Sequence, residues 1–234
     1  MANAIDTRSH AARRHIVPIQ RPDALNDIML ARLRADIISG AFAFGERLSE
    51  EKLSKLYGVT KAPVRSALLK LQAEGLLTIL PQRGAFVMNP SMEEVRALCE
   101  LRVALELEAA HLALLRNPQV LADDVSETIR KMDPLRHNVN NAAYLSLDTD
   151  LHLAFFHAAE SKMLEATYLS AVNWRFAALR QRLAGNKRLA SRTYLEHCQI
   201  RDCVIARNAP ELALILRQHI DNMTDYFSEQ VGNM

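Results

Sequence analysis

Apolar residues recur at helical spacing along most of the chain, and one stretch near the front interrupts this pattern. A first stripe predicts a helix over residues 23–39 that ends at Gly40. It consists of Leu25, Ile28, Met29, Leu33 and Ile37. Over residues 46–87, two short helical patterns separated by a glycine turn are followed by two short runs of strand-forming residues. This order predicts a helix-turn-helix followed by a two-stranded wing.

Each of the two helices in this stretch has an apolar face that can pack in a core. Leu48, Leu53 and Leu56 provide a core face for the first helix, and Gly58 with Val59 can form the sharp turn that follows. The second helix has an inward face at helical spacing. That face consists of Val64, Ala67, Leu68 and Leu71. The opposite face of the second helix is therefore free to contact another molecule.

The second helix begins with residues typical of a recognition helix. Thr60 can cap the free backbone N–H groups of the first turn, where Pro63 is tolerated. Lys61 and Arg65 lie one turn apart beside Ala62. In helix-turn-helix proteins such N-terminal residues meet base edges in the major groove. The segment therefore predicts DNA binding through this end of the helix.

The predicted wing follows Gly75, which can end the recognition helix. Residues 76–80 and 85–88 read as strands around a turn at residues 81–84, which places Arg83 near a minor groove or a phosphate. The alternative on these spacings is a small core with a solvated basic rim that binds no DNA.

After residue 90 the pattern is helical throughout. Five of the seven glycines lie in the first 84 residues. Ser91 and Glu94 have the spacing of a capping box, which starts a helix ending near Leu115, and Asn117 with Pro118 breaks it. Further helices are predicted over residues 119–133, 140–159, 162–183, 187–207 and 210–229. The expected fold is mainly α: a winged helix-turn-helix and an antiparallel bundle of about six helices.

The charge distribution separates the same two regions. Residues 1–90 contain 13 Lys and Arg against 8 Asp and Glu, whereas the remainder contains 16 against 19. A basic front and a mildly acidic back favour a DNA-binding module joined to one that does not contact phosphates. We predict a flexible arm at residues 1–22, a DNA-binding domain at 23–90 and an effector-binding and dimerisation domain at 91–234.

Composition narrows the class of protein further. No apolar run reaches the length of a membrane span, and residues 1–20 lack the apolar core of a secretory signal. We therefore expect a cytoplasmic protein without a membrane partner. The cysteines, Cys99, Cys198 and Cys203, are odd in number and lack CxxC spacing, which argues against a disulfide framework and against a thiolate metal cluster.

Candidate metal ligands lie in the back half. Asp148 and His152 are spaced i, i+4 and share one helical face, and His197 and His219 lie near the middle of the last two predicted helices. Together they would suit a divalent ion such as Zn, Ni or Mn with one or two positions open. By spacing alone, a solvated Asp–His pair is the alternative, and Asp150 is a rival to Asp148.

The front segment resembles the winged helix-turn-helix of the GntR family of bacterial transcription regulators, without a gap over residues 33–87. The segments that carry the resemblance are Ile38-Ser39-Gly40, Gly45-Glu46-Arg47-Leu48-Ser49-Glu50, Pro63-Val64-Arg65, Glu74-Gly75-Leu76 and Arg83-Gly84-Ala85-Phe86-Val87. The resemblance implies that Arg34 contacts the DNA backbone, with an ordinary surface charge as the alternative. Arg65 and Gly84 match the family pattern. Lys61 and Glu51 depart from it, because many family members have an arginine at each of these two positions.

The back half resembles the FCD effector domain of the FadR subfamily, in its shorter VanR-like branch. Asp148, His152, His197 and His219 match the family's metal ligands, although Leu151 and Ser161 depart from the surrounding pattern. Arg102 and Glu106 match its R-x-x-x-E helix, which implies that Arg102 binds the carboxylate of a small organic acid. A surface ion pair between these two residues is the alternative.

The combined prediction is a homodimeric, ligand-responsive regulator, not an enzyme, that represses by binding a palindromic operator in double-stranded DNA. Two other readings stay open. A metal-dependent hydrolase could use the same Asp and His residues, although the sequence offers no HExxH. A constitutive DNA-binding protein could have a back half that only dimerises.

Overall fold

The computed structural model describes residues 23–137, 142–183 and 187–231. The predicted arm, residues 1–22, lies outside the described residues. The front domain consists of α1 (Asp23–Ile38), β1 (Arg47–Leu48), α2 (Glu50–Tyr57), α3 (Lys61–Ala73), β2 (Leu77–Leu80) and β3 (Gly84–Val87). The helix-turn-helix and the wing are confirmed, and α3 is the predicted recognition helix.

The core of the front domain is narrower than the apolar pattern predicts. Met29, Leu33 and Ile37 of α1 are buried at i, i+4 spacing and pack toward α3. The prediction was wrong for Leu25, Ile28 and Leu56, which are 46%, 63% and 61% exposed. A small domain has room to cover only one narrow stripe of each helix, so apolar residues beside that stripe remain in contact with solvent.

The turn between α2 and α3 shows which capping predictions hold. Ser49 caps α2 by accepting a hydrogen bond from the Lys52 backbone N–H at 3.1 Å. Gly58 ends α2 in the left-handed conformation, with φ of 66°. Thr60 occupies the cap position of α3, but its side chain makes no capping hydrogen bond, so that prediction was wrong. Its exposed hydroxyl group stays available beside Lys61.

The wing belongs to a three-stranded antiparallel sheet with the order β1-β3-β2, rather than to an isolated pair of strands. Arg47 and Leu48 pair with Phe86 and Ala85 of β3. A strand of two residues gives no alternation that a sequence pattern can reveal. The extra strand ties the wing to the start of α2.

The second domain is the predicted all-helical bundle. Its helices are α4 (Met92–Arg116), α5 (Pro118–Met132), α6 (Ala142–Ala159), α7 (Lys162–Tyr168), α8 (Trp174–Leu183), α9 (Lys187–Ile205) and α10 (Ala209–Val231). Ser91 and Glu94 form both hydrogen bonds of the capping box that begins α4. The single helix predicted over residues 162–183 contains a π-helical segment, Leu169–Asn173, between α7 and α8.

Three arginines connect the two domains. Arg182 of α8 donates a hydrogen bond to the backbone carbonyl of Phe42 at 2.6 Å. The side chain of Arg175 lies against Gly75, where an added Cβ would collide with it. Arg34 of α1 crosses the boundary in the other direction, as its guanidinium lies 4.6 Å from the ring centroid of Trp174. Helix α8 is therefore the surface of the bundle that holds the DNA-binding domain.

Candidate metal centre and nucleic-acid interface

Three helices bring the four predicted metal ligands to one point. Asp148 and His152 lie one turn apart on α6, His197 is on α9 and His219 is on α10. Each offers a ligand atom, and these atoms all lie within 4.8 Å of one another. Asp148, His152 and His197 are buried, whereas the rival Asp150 is exposed and does not belong to the cluster.

Two carboxylates orient the imidazoles from behind. Nδ1 of His152 lies 2.8 Å from Glu106 Oε2, and Nδ1 of His219 lies 2.9 Å from Glu196 Oε2. If Nδ1 donates its proton to the carboxylate, Nε2 is the unprotonated nitrogen of each ring. The two Nε2 atoms face each other at 3.3 Å. Metal-binding histidines in proteins have this arrangement, with the second nitrogen donating to a carboxylate.

The cluster favours neutral imidazoles. Burial lowers the pKa of His152 and of His219 to about 4, because the charged ring loses its hydration, although Glu106 and Glu196 oppose the shift. Burial likewise lowers the pKa of His197 well below its ordinary value. All three rings therefore keep a free lone pair at neutral pH, which metal coordination requires.

The unmet hydrogen-bonding capacity of the cluster fits a metal ion. Nδ1 of the fully buried His197 has no hydrogen-bond partner within the described part of the chain. Its Nε2 lies 3.1 Å from Asp148 Oδ1, and Arg180 contacts the other carboxylate oxygen. A buried ring nitrogen without a hydrogen-bond partner costs free energy unless it binds something else. One carboxylate and three neutral imidazoles form a suitable donor set for a borderline divalent ion.

Arg102 lies beside the cluster and is almost completely buried. Its Nε donates to Glu106 Oε1 at 2.5 Å, and its guanidinium stacks 3.6 Å from the ring centroid of Phe176. The alternative of a surface pair is wrong, because the side chains of Arg102 and Glu106 are only 1% and 0% exposed. Burial alone would raise the pKa of Glu106, but Arg102 and His152 outweigh it and lower the pKa to about 2. Among the described residues, Nη1 of Arg102 finds no hydrogen-bond partner.

A cavity of about 510 Å³ opens beside Arg102 and His152. Asn173, in the π-helical segment, also lines it, and the buried Nδ2 of Asn173 has no hydrogen-bond partner in the described ranges. Arg180 also lines the cavity, and burial lowers the pKa of Arg180 to about 9. The cavity thus presents two unpaired donors next to the four candidate metal ligands.

Several of these groups are missing from the sequence-based predictions. Glu106 was predicted only as the partner of Arg102, and no role was predicted for Glu196. Asn173 and Arg180 were not predicted, and the π-helical segment that places Asn173 in the cavity lining has no local sequence pattern to indicate it. The π-helix itself is a feature that often occurs at functional sites.

The predicted DNA-contacting residues of α3 are accessible. Thr60, Lys61, Ala62 and Arg65 are all exposed at the N-terminal end of the recognition helix. Arg65 donates two hydrogen bonds, of 2.7 and 2.8 Å, to the carboxylate of Glu50 on α2. This pair places the guanidinium of Arg65 beside the first residue of α2.

The other predicted DNA contacts lie at two separate places. Arg83 is exposed at the tip of the wing, and Gly84 begins β3 with φ of 101°. Arg34 lies instead at the domain boundary, where it makes hydrogen bonds of 2.8 and 2.6 Å to Glu74 and stacks on Trp174. Only 17% of its side chain is exposed. In this arrangement the guanidinium of Arg34 would have to exchange Glu74 for a DNA phosphate to make the predicted contact.

The winged head and the helical bundle define a DNA-binding transcriptional regulator. The chain belongs to the gntR family of bacterial regulatory proteins, whose model matches residues 28–87, and it carries an FCD domain at residues 97–222. The resemblance inferred from the sequence is confirmed.

Two relatives match most of the chain. It is 31% identical over 212 residues to BphR of Paraburkholderia xenovorans strain LB400, an HTH-type transcriptional regulator, covering 88% of this chain and 86% of BphR. It is 28% identical over 198 residues to the HTH-type transcriptional repressor GlaR of Escherichia coli K12, covering 80% of this chain and 89% of GlaR. These relatives are regulators, and the protein is a transcriptional regulator rather than an enzyme.

Solved structures agree on the fold. E. coli McbR/YncC is 20% identical with a TM-score of 0.75, and a putative GntR regulator from Rhodococcus sp. RHA1 is 21% identical with a TM-score of 0.74. Each comparison covers 88% of this chain and 98% of the other. Within the described ranges, no helix combines the length and the apolar character that a membrane crossing needs.

Proposed function

We propose that the protein is a homodimeric, ligand-responsive repressor of the cytoplasm, in which a divalent metal ion and Arg102 together bind a small organic acid. The observation that carries this proposal is the pair of Nε2 atoms of His152 and His219. They face each other at 3.3 Å, and each ring is held from behind by a carboxylate, the buried Glu106 for His152 and the half-buried Glu196 for His219. Two unprotonated nitrogens repel at this distance unless a cation lies near both of them.

The metal would be held by Asp148, His152, His197 and His219. Three imidazoles and one carboxylate suit Zn, Ni or Mn and leave one or two coordination positions for a ligand. When bound, the ion would supply the positive charge that attracts a carboxylate. The role of Glu106 and Glu196 would be to fix the orientation of two imidazole rings and to raise their affinity for the metal.

The acid would also contact the unpaired donors of the cavity. Arg102 cannot offer its whole guanidinium, because its Nε is bound to Glu106, but Nη1 is free. Nδ2 of Asn173 is a second donor that we add to the site. A carboxylate that received both hydrogen bonds would remove two unsatisfied buried groups, each of which costs about 1–3 kcal/mol.

DNA would be bound by two winged heads of a dimer at the half-sites of a short palindrome. The base contacts would come from Lys61, Ala62 and Arg65, with Thr60 at the helix start, and backbone contacts from the wing. The wing residues are Arg83 and Gly84. Acid binding in the bundle would alter the separation of the heads, and both half-sites must be met at once for tight binding. Repression is supported by the similarity to GlaR, which is an HTH-type transcriptional repressor.

Metal analysis of the full-length protein tests the centre of this proposal. We expect about one Zn, Ni or Mn ion per chain, lost in His152→Ala and retained in His157→Ala. His157 is a matched control on the same helix, since 58% of its side chain is exposed and it lies outside the cluster. Equal metal content in the two variants would contradict the site.

Thermal-shift screening of small carboxylic acids, with and without chelator, tests the ligand. We expect stabilisation by an acid in the metal-loaded protein and much less in chelator or in Arg102→Ala. Stabilisation that is equal in chelator would separate the acid from the metal. A protein that binds neither metal nor acid would instead be a constitutive DNA-binding protein.

A further inference from the structure

The cavity beside the candidate metal centre has walls from both domains. One part of the lining comes from Asp148 and His152 of the bundle, and another part comes from α1 of the DNA-binding domain. Ala31, Ala35 and Ile38 of α1 line it, and the two alanines lie one turn apart with exposed side chains. A ligand that filled the cavity would therefore contact the DNA-binding domain directly.

The polar and apolar groups of the lining are not evenly distributed. The unpaired donors, Arg102 Nη1 and Asn173 Nδ2, belong to the bundle. In and just after α1, by contrast, polar groups already have partners: Arg34 binds Glu74, and the Ser39 hydroxyl donates to the Asp36 carbonyl. Much of the remaining lining is apolar. It includes Leu145, Trp174, Phe176 and Ala177.

The size of the cavity also indicates a ligand that is larger than its acid group. At about 510 Å³ it falls in the range of sites that enclose a whole organic ligand, about 300–1,000 Å³. An acid of two or three carbons would occupy only the end at Arg102. The apolar remainder, which extends to α1, favours a ligand with hydrocarbon that can leave water.

We propose that the effector is a carboxylic acid with an apolar body long enough to reach Ala31 and Ala35, so that α1 forms part of the ligand site. This inference rests on the proposed function, because the acid group is placed at the metal and Arg102. Helix α1 packs on the recognition helix α3. Contact of the ligand with α1 therefore acts on the position of the DNA-binding head without a relay through the linker.

A series of straight-chain acids tests the apolar part. We use the Zn-loaded full-length protein and measure affinity for acetate, butanoate, hexanoate and octanoate by calorimetry. Each CH₂ buried against the apolar wall should increase affinity about fourfold. Trp174 is the single tryptophan of the chain and lines the apolar part of the cavity, so its fluorescence reports on ligands that reach this part. Octanoate should change this emission, whereas saturating acetate should not.

A matched pair of variants on α1 locates the contact. Ala35→Leu places a larger side chain in the apolar part of the cavity. It should reduce the ratio of the affinity for octanoate to that for acetate at least tenfold, with unchanged metal content and acetate affinity. Arg32→Leu places the same side chain on the same helix at a position that is 69% exposed and outside the cavity lining, and should keep the advantage.

The outcomes separate the two proposals. If acetate binds and longer acids gain nothing, or if Ala35→Leu keeps the full advantage of octanoate, the contact with α1 is overturned and acid sensing survives. If no acid binds the Zn-loaded protein although Zn is present, acid sensing fails and this inference fails with it.

Discussion

The two domains each contain an arginine–glutamate pair, and the environments of these pairs are opposite. Arg65 and Glu50 pair on the surface of the DNA-binding domain, with 67% and 30% of their side chains exposed. Arg102 and Glu106 pair inside the bundle, with 1% and 0% exposed. Water can replace either partner of the first pair at little cost, whereas neither partner of the second can lose the other without leaving a buried charge.

This difference matches the kinds of molecule that the two sites would bind. A recognition helix must exchange its internal partner for a base or a phosphate of a large polymer, so its charged groups lie at the surface. A small-molecule site gains its strength from groups that are already desolvated and held in place. The predictions below test the contrast, from the largest expected effect to the smallest.

The largest effect is expected from removing the carboxylate of the buried pair. Glu106→Gln should lower the free energy of unfolding by about 3–5 kcal/mol, because Arg102 would remain buried without a counter-charge. Glu50→Gln is the matched variant of the exposed pair and should change the free energy of unfolding by about 0–1 kcal/mol. Urea unfolding of the two metal-free variants measures both values. Equal losses would remove the distinction between the two domains.

The second prediction concerns pH and the buried imidazoles. Their pKa values in the folded protein are below 6.5, at about 4 for His152 and His219, because burial disfavours the charged ring. Below pH 6.5 the unfolded chain takes up protons that the folded chain excludes. The metal-free protein should therefore lose stability as pH falls from about 6.5 to about 4, by up to about 1.4 kcal/mol per pH unit for each histidine.

Urea unfolding at several pH values in the presence of chelator measures this slope. His219→Asn removes one of the groups and should make the slope shallower over the same range. A slope that stays the same in the variant would show that His219 does not titrate as its burial requires. Added metal should flatten the dependence near neutral pH and lose its effect as protons compete for the rings.

The third prediction concerns the recognition helix. Arg65→Ala should weaken operator binding about tenfold or more, because a bidentate contact to a base or phosphate is lost, with little change in thermal stability. Lys70→Ala is a suitable control, since Lys70 is an exposed basic residue at the far end of the same helix. Gel-shift titration compares the two. Equal effects would indicate a general charge attraction rather than a contact at the start of α3.

The sequence predicted the elements well and the buried faces less well. Ser91 and Glu94 predicted the start of α4 because a capping box is local, and its hydrogen bonds join residues three apart. Leu56 was assigned wrongly because helical spacing shows that one face is apolar without showing how much of that face a neighbour covers. The strand at Arg47 and Leu48 was missed, since only its pairing with β3 distinguishes it from a loop.

The candidate site shows the same division. Asp148 and His152 share a face through helical geometry alone, so their association could be read from spacing. His197 and His219 lie on other helices, so the sequence pattern offered them only as candidates, and the family resemblance singled them out. The contact of Glu196 with His219 and the position of Asn173 in the cavity depend on how α8, α9 and α10 pack, which no local pattern encodes.

The sequence by itself determined the class of protein: a basic winged head, an all-helical second domain and a set of family positions whose side chains carry the chemistry. These follow from periodicity, caps and motifs, which act over a few residues. The tertiary structure alone decided that Arg102 and Glu106 form a buried pair and that α1 lines the cavity. Burial and convergence result from packing between helices far apart in the chain, and that packing sets the desolvation on which the strength of the site depends.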